Sequence, residues 1–130
     1  MAAERNRWPL RAVLVCLWAA PASLLGLALG LLAGGRAHRV GRTLEVALPK
    51  GWRRWLPFAA LTLGQVIVGA SRAELAHWRA HERVHVRQFE RWGVLLLLAY
   101  PLASLWAGLR GGRPYRDNAF EREARRVAGY

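Results

Sequence analysis

Apolar and polar positions fall into long blocks along this chain. From Ala12 to Gly35 there is no charged side chain, and Leu, Ala and Val dominate the run of 24 residues. As a helix it would extend about 36 Å, enough to cross a hydrocarbon core of roughly 30 Å. The apolar core of a cleaved signal is about 7–15 residues. The pattern therefore predicts a retained N-terminal transmembrane helix, with residues 1–35 as a membrane anchor and 36–130 as the folded domain.

Downstream the period changes repeatedly. Residues 36–54 read as a basic connector in which Thr43-Leu44-Glu45-Val46-Ala47-Leu48 alternates and stops at Pro49, as a strand does. Trp52 and Trp55 flank Arg53 and Arg54, a combination suited to a headgroup layer. Gln65-Val66-Ile67-Val68, β-branched and bounded by Gly64 and Gly69, predicts a strand over Leu61 to Val68 at the edge beside a functional site, in preference to a second membrane helix. From Ser71 the pattern becomes helical. Ser71 and Glu74 form a capping box, and Gly93 is a natural stop after Trp92. Residues 94–109 are apolar but short for a span and interrupted by Pro101, which removes a backbone donor. They predict a buried or interfacial helical segment covering the preceding helix. Gly111-Gly112-Arg113-Pro114 is a turn, and Asp117-Asn118 opens a short helix containing Glu121 and Glu123. The expected class is α+β, with short strands before a central helix and a further helix after it.

Composition looks contradictory until the blocks are separated: 54% hydrophobic residues coexist with a net charge of +12, from 20 Lys+Arg against 8 Asp+Glu. Such a charge suits anionic headgroups or a nucleic acid. Lys50 is the one lysine, and the arginines are spread along the whole chain without a nucleic-acid motif. Membrane lipid is therefore the expected partner, and nucleic acid is not. Arg36, Arg39, Arg42, Lys50, Arg53 and Arg54 follow the apolar run, against Arg5, Arg7 and Arg11 before it. The positive-inside rule then places the domain in the cytoplasm, at an inner or plasma membrane. Cys16 is alone, so no intramolecular disulfide can form and a Cys-based zinc site is excluded. Histidines and carboxylates remain as metal ligands.

His81-Glu82-Arg83-Val84-His85 lies within the predicted helix. Two histidines four residues apart project from one face, one turn apart, and can hold one zinc ion from one side. Glu82, about 100° around the helix from His81, can reach a metal-bound water without ligating the metal. His77 shares the histidine face, but His77 and His85 would lie about 12 Å apart along a straight helix, too far to converge on one ion. His77 is thus a surface residue or one supporting the ligands. The third ligand is better sought downstream, at Glu121 or Glu123, the two glutamates of the short separate helix. Glu121 also has a plain role open to it, as the third helical residue of a capping box opened by Asn118. Tyr115 is located where it could assist an oxyanion.

The His-Glu-x-x-His run together with Asn118-Ala119-Phe120-Glu121-Arg122-Glu123-Ala124 resembles the zincin metallopeptidases, and among them the membrane-bound gluzincins. There a glutamate on a second helix, three residues before an Ala, completes the site. The likeness covers about residues 61 to 128. The chain departs from that pattern at Arg125, where those families carry Asp, and at Val84, where they carry a small residue. The resemblance implies a small zincin domain over 36–130. In it His81, His85 and Glu121 would bind Zn2+, and Glu82 would act as general base in hydrolysis of a peptide or protein substrate at a membrane. The alternative is a non-catalytic membrane protein with a structural zinc site or a partner-binding role.

Overall fold

A computed structural model describes residues 9–129. The elements run α1 (Leu10–Leu32), β1 (Arg36–Val40), β2 (Thr43–Ala47), a 3-10 turn at Trp52–Arg54, β3 (Ala60–Leu63), β4 (Val66–Gly69) and α2 (Arg72–Trp92). A second 3-10 turn at Gly93–Leu95 leads into α3 (Leu96–Leu109), and α4 (Ala119–Ala128) closes the chain. The strands form one mixed sheet in the order β1-β2-β4-β3, antiparallel except where β2 meets β4. The class is α+β, as the hydrophobic pattern predicts.

Two strands correct the expectations. Arg36–Val40, read as connector, is β1, joined to β2 by the two-residue turn Gly41-Arg42 with Gly41 at φ +62°. Its side chains are almost all exposed, so no alternation marks it; backbone pairing with β2 makes it a strand, and its arginines protect a sheet edge. The predicted single strand Leu61–Val68 is instead a hairpin, β3 and β4, turning at Gly64-Gln65. Gly64 sits at φ +62°, and a Cβ there would collide with Ser23 of α1, so glycine serves both the turn and the close approach.

Strand alternation puts the two faces of the sheet against two helices. Val46, Val66 and Val68 point toward α1, with Leu27 and Ala33 packed on them. Ile67, Ala47 and Ala60 point toward α2, where Leu75 and Val86 meet them. Each fully buried residue of α1 is alanine or glycine: Ala12, Ala19, Ala22, Gly26 and Gly30. Gly26 lies over Leu63 and Val66, Gly30 over Val46, and Ser23 Oγ accepts from Gln65 N at 2.8 Å. The apolar N-terminal helix is thus packed directly on the sheet.

α2 begins as predicted, with Ser71 Oγ accepting from Glu74 N at 3.1 Å. Glu74 does not return the favour to Ser71; its carboxylate accepts from Trp78 Nε1 instead. The buried carboxylate of Glu45 on β2 takes a two-pronged bond from Arg79, at 2.7 and 2.8 Å, fixing α2 across the sheet. At Gly93 (φ +60°) the backbone packs on the Trp18 ring and the chain turns into α3. The segment 94–109 is helical but not buried: within α3 only Leu96 and Ala107 are, while Leu98, Leu102, Leu105 and Leu109 are exposed. One side of α3 meets α2 and α4, and its outer side is open. By length and hydropathy, α1 and the combined run Arg72–Leu109 are each sufficient to cross a membrane.

The α1–sheet contact gives a direct prediction. A Cβ at Gly30 would stand 2.8 Å from Val46 Cγ1, so Gly30→Leu should cost about 1–3 kcal/mol through overpacking. Leu31→Ala, on the exposed side, should cost about 0.5 kcal/mol or less. Thermal unfolding followed by circular dichroism in detergent checks both.

Candidate metal centre

The central helix brings His81 and His85 to the same buried side, ring centroids 5.1 Å apart. α4 crosses that side with its first turn, and the carboxylate of Glu121 enters between the rings. One oxygen lies 2.9 Å from His81 Nε2 and the other 3.0 Å from His85 Nε2. All three side chains are buried, and their ligand atoms lie within 4.8 Å of one another. Among the described residues these three, and not His77 or Glu123, make the cluster. His77 is exposed on α2 with its ring edge against Trp78, and Glu123 accepts from Gln88 Nε2 at 3.2 Å. The capping role open to Glu121 is not taken up: Asn118 caps α4 by accepting from Phe120 N, and the Glu121 carboxylate turns inward.

What aims Glu121 is a set of buried polar contacts. Asn118, fully buried, donates through Nδ2 to Tyr100 O at 3.0 Å and Ser104 Oγ at 2.8 Å, clamping the start of α4 to α3. Tyr100 OH donates to Glu121 Oε1 at 2.6 Å. Gln88 stands three residues after His85 and is almost wholly buried. Its Nε2 donates to Phe120 O, so its Oε1 must be the partner that His85 Nδ1 meets at 2.8 Å. His85 Nδ1 therefore carries the proton, and in the neutral ring Nε2 presents a lone pair to Glu121.

A lone pair facing a carboxylate is unfavourable unless a cation lies between them. With a proton in that place, burial works to lower the His85 pKa, but its hydrogen bond and charge attraction to Glu121 raise it above the ordinary value. Burial works to raise the Glu121 pKa, but His81 and His85 hold it well below the usual carboxylate range. A divalent metal satisfies the same three donors. Tetrahedral zinc at about 2.0–2.1 Å from each ligand places neighbouring ligand atoms about 3.3 Å apart. The two histidine–carboxylate contacts, one to each oxygen of Glu121, lie a few tenths of an ångström inside that spacing, and the three ligand atoms are already within 4.8 Å of one another. The residues fit a two-histidine, one-carboxylate metal site.

Glu82 faces the other way around α2, toward β3, where Thr62 Oγ1 donates to its Oε2 at 2.7 Å. Burial raises its pKa, offset in part by His85 and by the Thr62 bond, so the carboxylate keeps an affinity for a proton while standing outside the ligand trio. Glu82, His85 and Glu121 share the floor of a cleft of about 530 Å³. Phe58, Leu61 and Leu63 line one side of it, and Leu97, Tyr100 and Pro101 the other. Tyr115 also borders this cleft; partial burial, then the charges of Glu121 and Glu82, push its hydroxyl up to about 12, so it remains a donor at neutral pH.

Three residues of the site were not singled out from sequence. Gln88 carries the clearest signal, an amide on the same helical face as His81 and His85. Thr62 is a polar residue at an inward position of a strand, and Tyr100 is, with Ser104, one of two hydroxyls in an apolar run.

Gln88→Ala should weaken metal binding about 10- to 100-fold by freeing the His85 ring. Glu121→Gln should abolish tight binding, whereas Glu123→Gln should leave it nearly unchanged. Competition titration against a chromophoric chelator measures all three. No family model matches the chain, and no curated protein or solved structure shows significant similarity to it.

Proposed function

We propose that this protein is a membrane-associated, zinc-dependent metallopeptidase that cleaves peptide bonds in the cleft between β3 and α3. The observation that carries this reading is the buried meeting of His81, His85 and Glu121, with Glu82 beside them but held out of the ligand set by Thr62. A zinc ion held by the trio would supply an acidified water and polarise the substrate carbonyl. Glu82 takes the proton as the water oxygen joins the carbonyl carbon. It passes that proton to the amine nitrogen as the C–N bond breaks. Tyr115 presents its hydroxyl hydrogen from the rim of the cleft, where negative charge develops on the carbonyl oxygen, while Tyr100 uses its own to hold Glu121. Gln88 orients His85, and Asn118 orients α4.

The arrangement agrees with the gluzincin pattern that the sequence resembles, and zinc is the metal that this donor set favours. Membrane association is supported by the charge-free α1 and by the exposed leucines of α3. Glu121 meets His81 and His85 directly, which supports placing both on one side of the membrane, with 94–109 not crossing between them. The arginine-rich stretch after α1 favours an anionic leaflet, as on the cytoplasmic side.

Two measurements test this. Purified protein should hold about one zinc per chain, lost in His81→Ala and in His85→Ala. Glu82→Gln should keep the zinc and cut hydrolysis of a proteome-derived peptide library about 10²- to 10⁴-fold, read by mass spectrometry. Full zinc with no cleavage by the wild type would leave the metal a structural role only.

A further inference from the structure

We propose that the outer sides of α1 and α3 form a face embedded in one leaflet of an anionic bilayer, with α1 lying along the membrane surface and not through it. This rests on the membrane association proposed above and not on the zinc chemistry.

The residue distribution of α1 is inverted with respect to a water-facing helix. Its inner side, against the sheet, is alanine and glycine, whereas Leu17, Leu24, Leu25, Leu31 and Leu32 are exposed. Helices in water bury their leucines and leave small or polar residues outside. Small residues within and large apolar ones without is the arrangement helices take when lipid is the surrounding medium. α3 and the turn before it share the outward leucines, though Leu96 is buried: Leu95, Leu98, Leu102, Leu105 and Leu109, spaced by three or four, are each more than half exposed. The two stripes join where Gly93 packs on Trp18.

Charge decides what covers this face. Arg54 stacks on Trp55 at 5.7 Å, and Arg110 on Trp106 at 5.6 Å. Trp52 Nε1 donates to Ala33 O at 3.0 Å, which ties the Lys50–Trp55 loop to the C-terminal end of α1. Aromatic rings paired with cations at the margin of an apolar surface suit the headgroup layer. A second copy would bring the same cations and the same +12; anionic headgroups complement them.

The packing of α1 fixes its direction. Contacts with the rest of the domain run from the buried Ala12 through Trp18, Ser23 and Gly26 to Gly30. Within α1 only Leu10 and Arg11 precede them, about 3 Å of helix against a hydrocarbon core of roughly 30 Å. Standing α1 upright would draw the sheet, the Glu45–Arg79 pair and the exposed Arg87 and Arg91 of α2 into hydrocarbon, at several kcal/mol for each charge. Lying in the surface, α1 keeps its small side on the sheet and its leucines in lipid.

The test uses the full chain with Cys16→Ala and single cysteines from Arg11→Cys and Arg36→Cys, at the two ends of α1. Protein is bound to preformed phosphatidylcholine/phosphatidylglycerol vesicles and treated from outside with a membrane-impermeant thiol reagent. Both positions should label fully, and spin labels at Leu24→Cys and Leu102→Cys should report similar shallow depths in the hydrocarbon. Removing the glycerol lipid, or replacing Lys50, Arg53 and Arg54 by Ala together, should weaken vesicle binding about 100-fold. Labelling of only one end, or protein that remains off the vesicles as a monomer or as a dimer, would overturn the proposal. The His81→Ala chain, without its metal, should give the same pattern, so failure of the site chemistry is told apart from failure of the membrane geometry.

Discussion

A carboxylate taken out of water must be met by positive charge or by several donors, because an unpaired buried ion costs several kcal/mol. Glu121 is that carboxylate, and the C-terminal third of the chain is arranged to meet it. His81 and His85 come from α2, Tyr100 from α3, and the backbone turn that aims it from Asn118. Apart from the Asn118 cap, none of these contacts is local in sequence. α4 is a polar helix of ten residues, with little apolar surface to hold it; what seats it is this polar network. Architecture and chemistry share the same atoms here, so disturbing one disturbs the other.

The other half of the site depends on the sheet. Thr62 reaches Glu82 only because β3 turns back at Gly64 and runs beside α2, and Gly64 can turn there only because α1 approaches with Ser23 in place of a larger residue. Glu45 and Arg79 fix α2 from two strands away on the same face of the sheet. Small residues of α1, one hairpin and one ion pair thus set the distance between the candidate base and the candidate ligands. The leucines outside α1 take no part in this, which leaves them available for another medium.

Much of this was legible in the sequence where a local rule was strong. The capped central helix, its end at Gly93, the strand Thr43–Ala47 and the helix opened by Asn118 all follow from spacing and termini. The pairing of His81 and His85 follows from the helical repeat. The remainder depended on contacts that no window of residues contains. β1 has an exposed pattern and exists through its neighbour, and the split of 61–68 depends on an encounter with a helix forty residues earlier. The choice of Glu121 over Glu123 follows from which side of α4 faces α2, and Gln88 acquires its meaning only when Phe120 arrives above it. For residues 94–109 the buried and interfacial readings stayed open together, because an apolar run reads the same whether protein or lipid covers it.

The contact between His85 and Glu121 joins positions thirty-six residues apart. Across that interval lie the turn at Gly93, α3 and an exposed stretch from Arg110 to Asp117 that holds itself mainly by local bonds. A cation seated in the trio therefore acts as a cross-link closing a long loop, and what it removes is conformational entropy of the open chain. The last helix is then the first element to leave when the cross-link is absent, and the last to settle as the chain folds. Supply of the ion would in this way govern the order of the whole C-terminal segment as well as the reactivity of the cleft.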